Sequence, residues 1–580
     1  MARRLRLVLL TSSALLGGVS GCNALLSLGD FSVVPASVDA SDEQTLSDVI
    51  QPDADDGGFV GECTTNVECT DRATAAEIER RKNLPDAGDD AGDAGVDPDA
   101  TVALDGGTGI VVPAVCVRPQ QKCVTLTSVD CKTITGDYKN PNAIVIGSLF
   151  TTSGAQGGTN IARQQSATLA VEEINASQNG GGIPGATATS PARPLVMVSC
   201  DETARDRAAG HLVNDLHVPA IVGPNLSQDV LDLTTNLTAK AGTLMITPTS
   251  VASPIADLAD NDLTWRLVPS DTQRAALMIA QLNQMESDIR AALPGQPTPR
   301  PVRMAIIYRN DALGQGSFNA LSSIVFNGAA LSAPINANAV NGAVRIKAYS
   351  PTAPEAAIAS EIAGFAPDIV ALFGTAESIT KEMTPLEANL AADGGVTKPQ
   401  YMLIDSNKVK EVTDLVTARN AVDPGLRTRI RGTGLISEGT SAQVFTQFNL
   451  AYAQRYGAPA AVSSMGPSYD ATYAIAYALA SKRDQPVTGA TVAAGFRKLS
   501  GGATVINIGS QKILAAYQAL TAGDNIQAVG TFGALEWDAK GDFFGTIEMW
   551  CVGTGSNFGS SGLLFNVKSQ TPSGTYTQCP

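Results

Sequence analysis

From Asn142 onward, short apolar runs alternate with helix-length segments, and this alternation constrains the fold more than any other feature of the chain. Ala143-Ile144-Val145-Ile146-Gly147 reads as a buried strand, and the apolar residues from Asn160 to Asn175 recur at helical spacing. Leu195-Val196-Met197-Val198, Ala220-Ile221-Val222-Gly223 and Leu244-Met245-Ile246 follow, each separated by enough chain for a helix. The order βαβαβ requires a parallel sheet wrapped by helices. A second series begins at Val302-Arg303-Met304-Ala305-Ile306-Ile307-Tyr308 and continues through 343–349, 368–373 and 401–404. Two doubly wound sheets in succession predict an α/β chain of two Rossmann-like lobes with a crevice between them. Ligands of such sheets bind outside the carboxyl ends of the strands.

The first 22 residues are a different kind of segment. Met1-Ala2-Arg3-Arg4-Leu5-Arg6 precedes an apolar run from Leu7 to Leu16, the layout of a secretion signal. The run is too short to cross a bilayer core of ~30 Å, which takes ~20 helical residues. It leads into Val19-Ser20-Gly21-Cys22, which resembles the lipobox cut by the bacterial lipoprotein signal peptidase. That resemblance implies that Cys22 becomes an acylated N-terminus holding the protein to a membrane of the cell envelope. Asn23 is not the Asp that favours inner-membrane retention, which points toward the outer membrane. An ordinary signal peptide with a chance cysteine is the alternative.

The net charge of −16 is unevenly spread: residues 23–112 carry 20 acidic against four basic residues, and 113–580 carry 36 against 33. The acidity belongs to an N-terminal segment that includes Asp86-Ala87-Gly88-Asp89-Asp90-Ala91-Gly92-Asp93. Such a stretch buries too little apolar surface to offset ~1–2 kcal/mol of backbone entropy per residue, so it reads as a self-repelling tether. Its Asp spacing lacks the calcium-loop pattern. Neither part offers the basic stripe that nucleic acid requires.

Nine cysteines become eight once Cys22 is set aside, an even number that suits disulfides in an exported chain. Cys63, Cys69, Cys116 and Cys123 are expected to pair among themselves in a small knot that interrupts or ends the tether. Cys131 and Cys200 flank the first βα unit, and Cys551 and Cys579 close the tail. Zinc is the competing use, but no C-x2-C pair exists and His211 and His217 lie six apart, on different faces of a helix. No metal or cofactor is expected.

With the strands and helices placed, several segments resemble the branched-chain amino-acid binding proteins of ABC transporters, which have the type I periplasmic binding fold. Ile146-Gly147-Ser148-Leu149-Phe150-Thr151-Thr152-Ser153-Gly154 is similar to that family's first strand and ligand loop. Glu172-Glu173-Ile174-Asn175 followed by Gly180-Gly181-Gly182-Ile183-Pro184-Gly185 is similar to its E-I-N-x-x-G-G-I-x-G segment. Ala220-Ile221-Val222-Gly223-Pro224, Met245-Ile246-Thr247-Pro248-Thr249-Ser250, Tyr469-Asp470-Ala471-Thr472-Tyr473 and Gly533-Ala534-Leu535-Glu536-Trp537-Asp538-Ala539-Lys540-Gly541-Asp542 follow in the family's order. The likeness spans roughly 142–555 and implies crossings between lobes near Leu267, Leu435 and Ala534. It therefore divides the chain into signal peptide 1–22, tether 23–112, Cys-rich lead-in 113–141, lobe one 142–268 plus 436–533, and lobe two 269–435 plus 534–580.

The same resemblance implies a ligand site. Ser153, Ser227, Thr249 and Ser250 fall on the polar positions of lobe one, and Asp405 falls on the family's ammonium-binding acid in lobe two. Hydroxyls beside helix N-termini suit an anionic group, and helix capping is the plainer role for each of these residues. The departures are Val251 in place of a threonine, Leu313 and Ala376 in place of two tyrosines, and glycine at 157 or 158 in place of an aromatic. They predict a ligand whose polar or zwitterionic head carries a tail unlike leucine.

No nucleophile elbow, H-E-x-x-H or Walker loop occurs, and Ser378-Ile379-Thr380-Lys381 lacks the companions of an S-x-x-K enzyme. The chain reads as a binding protein rather than an enzyme. One expectation is a receptor that passes a small solute to an ABC permease; the other is an envelope sensor or scaffold lipoprotein.

Overall fold

The computed structural model describes residues 63–83, 110–118, 120–154, 157–177, 181–293, 300–352, 356–392, 398–460 and 462–580. The signal segment, Cys22 and the Asp-rich run 86–93 lie outside them. The first described element is a helix, Asn66–Lys82. The Thr65 side chain caps it by accepting from Glu68 N–H, with Glu68 in its first turn and Arg80, Arg81 and Lys82 in its last. Both ends therefore suit the helix dipole. Disulfides Cys63–Cys116 and Cys69–Cys123 staple it to a hairpin of β1 (Ala114–Val117) and β2 (Lys122–Thr125). The four early cysteines thus pair among themselves. The Cys63, Cys69 and Cys116 sulfurs lie close enough together to suggest a metal cluster, but all three are spent in disulfides.

Lobe one is a six-stranded sheet. β3 (Cys131–Thr135) lies antiparallel on one edge, and β4 (Ile144–Phe150), β5 (Leu195–Asp201), β6 (Ala220–Val222), β7 (Leu244–Thr247) and β8 (Thr264–Arg266) are parallel, in the order β3-β5-β4-β6-β7-β8. The Cys131–Cys200 disulfide bonds β3 to its neighbour. The parallel strands are buried on both faces, as the absence of period-two alternation in their sequences requires. One face packs on the helices Gly157–Asn175 and Met465–Ser481. The latter is buried over 465–480, consistent with its apolar and aromatic character all round.

Lobe two holds β9 (Met304–Arg309), a short hairpin β10 (Val325–Phe326) and β11 (Ala329–Ala330), then β12 (Val344–Tyr349), β13 (Ile369–Phe373), β14 (Gln400–Leu403) and β15 (Ile430–Leu435). Lobe one resumes with the helix Gly439–Tyr456 and a small sheet of β16 (Thr504–Asn507), β17 (Ile526–Gly530) and β18 (Gly533–Ala534). The chain ends in lobe two with β19 (Thr546–Val552), β20 (Phe558–Asn566) and β21 (Thr571–Ser573), which extend the sheet to β12-β9-β13-β14-β15-β19-β20-β21. Cys551–Cys579 fastens the tail to that extension.

Three crossings join the lobes. The first lies between Arg266 and Asp271 and the second between Leu435 and Gly439. The third comes later than the expectation at Ala534. β18 turns back onto β17, Leu535 and Phe543 remain in the lobe-one core, and the chain reaches lobe two only at Thr546. The physical reason is an aromatic knot: Trp265, Phe496 and Trp537 pack with centroids 4.9–5.4 Å apart, and Trp537 Nε1–H donates to Arg266 O at 2.7 Å. Residues 535–543 therefore belong to lobe one.

Candidate ligand-binding crevice

Parallel strands in both lobes deliver their carboxyl ends to the crevice, so the loops after β4, β5, β6 and β7 face those after β9, β13 and β14. In lobe one, Ser227, Thr249 and Ser250 come together around one loop. Thr249 Oγ1–H donates to Asn225 O at 2.7 Å, and Ser250 Oγ–H donates to the same carbonyl at 3.3 Å while accepting from Thr247. Ser227 Oγ accepts from Ala252 N–H at 3.4 Å. None of the three side chains caps a helix. Instead they tie the loop after β6 to the loop after β7, and the hydroxyl protons of Thr249 and Ser250 are already spent. Ser153 stands apart on an exposed loop, 2.9 Å from Thr203 Oγ1.

A residue with no signal in the sequence sits among them. Glu202, at the end of β5, is buried, and its carboxylate accepts from Asn225 N–H and Leu226 N–H at 2.9–3.0 Å. Burial, and Asp229 beside it, push its pKa well above the usual carboxylate range. The protein's own acid thus occupies backbone donors ahead of the Ser227–Leu233 helix that an anionic ligand would otherwise claim.

Arg163 on the Gly157–Asn175 helix is the second unsignalled group. Its Nε donates to Ser463 O at 2.9 Å, Nη1 to Asn160 Oδ1 and Asn225 Oδ1 at 2.8 and 2.9 Å, and Nη2 to Ser463 Oγ at 3.2 Å. Burial pulls its pKa down to about 10, opposed by the charges of Asp405 across the crevice and of Glu202.

In lobe two, Asp405 begins a short turn after β14, and its carboxylate lies 3.8 Å from Arg274 Nη2. Arg274 is buried, and its Nε and Nη2 have no hydrogen-bond partner. Asp405 does not cap the turn before Asn407; Asn407 itself accepts from Ile404 N–H. Asp405 is therefore already answered by an internal cation. Ala376 opens a turn beside Thr375 and Glu377. Burial would raise Glu377, but Arg309, Thr375 and Tyr349 hold it below the usual range. Leu313 points elsewhere: it packs with Val251, Val268, Leu435 and Phe532, an apolar cluster bridging the lobes. Two positions that depart from the resembled family, Val251 and Leu313, thus meet in one contact. Surface cavities of about 420 Å³ each lie away from these strand ends, one lined by Thr272, Ala275 and Asn319 and the other by Asp257, Asp260 and Arg497. The S-x-x-K residues serve structure: Ser378 Oγ–H donates to Thr375 O and Lys381 Nζ to Pro351 O.

Two doubly wound lobes, three crossings and strand ends facing one crevice decide the architecture. The fold is that of type I periplasmic binding proteins. A leucine-binding protein LivK from Thermotoga maritima matches with a TM-score of 0.51 at 15% identity, covering 74% of this chain and 100% of its own. LivJ, a branched-chain amino acid transporter substrate-binding protein from Streptococcus pneumoniae in complex with isoleucine, matches at 0.50 and 17%, covering 71% and 97%. A solute-binding protein of an ABC transporter from Rhodopseudomonas palustris BisB5, in complex with 3,4-dihydroxybenzoic acid, matches at 0.50 and 13%, covering 73% and 98%. No protein-family profile and no curated protein matches the sequence. Among the described residues, no helix is long and apolar enough to cross a membrane.

Proposed function

We propose that this chain is a lipid-anchored solute-binding protein of a bacterial cell envelope that captures a small polar or amino-acid-like ligand by hinge closure, as receptor for an ABC importer. The observation that carries the reading is the pair of polar walls, Ser227 and the helix-borne Arg163 in lobe one and Asp405 after β14 in lobe two, in a fold shared with solute receptors. A ligand that touches both walls favours the closed arrangement by its differential contacts, and the three crossings supply the hinge. The shared fold with solute receptors supports binding rather than catalysis. The anchor rests on the Cys22 segment, outside the described residues.

One observation favours a second reading, an envelope sensor or scaffold that uses the fold without transport. The Leu313 cluster holds the lobes together with apolar side chains and needs no ligand. The test is a thermal-shift screen of the full chain against amino acids, amides, short peptides, carboxylates and sugars, with small-angle scattering on any hit. A solute that raises the melting temperature and compacts the particle supports the receptor. A screen with no hit, and scattering already that of closed lobes, supports the scaffold.

A further inference from the structure

Arg163 spends four of its five N–H donors, all on neutral acceptors: two oxygens of Ser463, Asn160 Oδ1 and Asn225 Oδ1. Asn160 is fully buried, and its Nδ2, beside that guanidinium, has no partner. A buried amide donor left open is destabilising unless something accepts from it. Meanwhile the alternatives for an amino acid are taken. Glu202 fills the backbone donors at Asn225 and Leu226, and Asp405 faces Arg274. An ammonium group approaching Asp405 would enter a crevice where Arg163 and Arg274 already stand near that acid.

We propose that Arg163, with Asn160 beside it, is the specificity-determining anion site of this crevice, and that the ligand is a small carboxylate or similar anion without an ammonium group. The inference rests on the solute-binding reading and adds the ligand class. Arg163 supplies its remaining Nη2–H and its charge, and Asn160 supplies Nδ2–H. Charge-assisted bonds of this kind are roughly twice as strong as neutral ones, so one residue can set the preference. Asp405 then opposes the ligand rather than binding it, held in check by Arg274.

Matched probes separate these roles. Calorimetry on the full-length protein would compare 4-methylpentanoate with L-leucine, which differ by the ammonium group, and benzoate with benzylamine and benzamide. At least one carboxylate is expected to bind, tenfold or more tighter than its ammonium-bearing or neutral counterpart. Arg163→Gln should weaken it by ten- to hundredfold and Arg163→Lys by less. Because Arg163 also braces Ser463 and Asn225, Asp405→Asn is the cleaner variant: it should tighten carboxylate binding severalfold, whereas an ammonium site predicts loss. Leucine binding as tightly as 4-methylpentanoate, no carboxylate binding, or weakening by Asp405→Asn would each overturn the assignment. If some other solute from the wider screen still binds, the receptor reading survives its failure; if none does, both fall.

Discussion

Asp470 makes the stability of this protein depend on pH in a direction opposite to ordinary acid denaturation. It lies on the Met465–Ser481 helix, buried, with Oδ2 accepting from Thr531 N–H and Oγ1–H at 2.8 and 2.7 Å and Oδ1 without a partner. Burial outweighs the two hydrogen bonds and raises its pKa from 3.8 to about 7. A group whose folded pKa lies above its unfolded value contributes stability that is complete below the unfolded value and is lost as pH rises through the folded one. At pH 5 the folded carboxyl keeps its proton while the unfolded one is mostly ionised; at pH 8 both are ionised, one of them inside the protein. Linkage turns that gap into about 3 kcal/mol lost between pH 5 and pH 8. Asp470→Asn keeps an oxygen for Thr531 but cannot ionise. Its amide then lacks an acceptor, a cost of ~1–3 kcal/mol at every pH. The variant should melt below the wild type at pH 5 and match or exceed it at pH 8. Calorimetry at half-unit steps reads the difference between the two curves, which cancels other buried acids such as Asp271, also raised to about 7. Parallel curves for the two proteins would refute the reasoning.

Three further outcomes are expected. Cleavage by an Asp-directed protease between 84 and 109 should leave the Asn66–Lys82 helix attached to the body through Cys63–Cys116 and Cys69–Cys123 on a non-reducing gel and release it on reduction; release without reductant would contradict those pairings. Cys22→Ser should abolish acylation of the N-terminus, read by mass spectrometry, and an unacylated wild-type N-terminus would end the lipobox reading. Leu313→Asp places a charge among Val251, Val268, Leu435 and Phe532, where an unpaired buried charge costs several kcal/mol. The lobes should separate, giving a larger radius of gyration in small-angle scattering, and unchanged scattering would show that the cluster does not hold them.

The lobes were legible because their central parallel strands are buried on both faces and therefore continuous in apolar residues, as in Leu195–Asp201 and Ile369–Phe373. The crossings near Leu267, Leu435 and Ala534 are expected from the resemblance alone, not from a local pattern. At the third, the chain stays in lobe one until Thr546. What keeps the next residues in lobe one is Trp537 meeting Trp265, a contact between positions 272 residues apart that no local pattern encodes. The crevice divided along the same line. Ser227, Thr249 and Ser250 announce themselves as hydroxyls after strands, yet the protons of Thr249 and Ser250 are committed to Asn225 O while Ser227 accepts from Ala252 N–H, and only the fold reveals which donors are spent. Arg163 in sequence is one polar residue on a helix of mixed character. Its meaning comes from long-range partners, Asn225 and Ser463, and from the charge of Asp405 in the other lobe. Asp405 changes its meaning for the same reason. Read alone, it is an acid waiting for an ammonium; read beside Arg274, 131 residues earlier in the chain, it is already half of a pair. An electrostatic site is a sum over residues that the fold brings together, so the chain can name its members before it can give their sign.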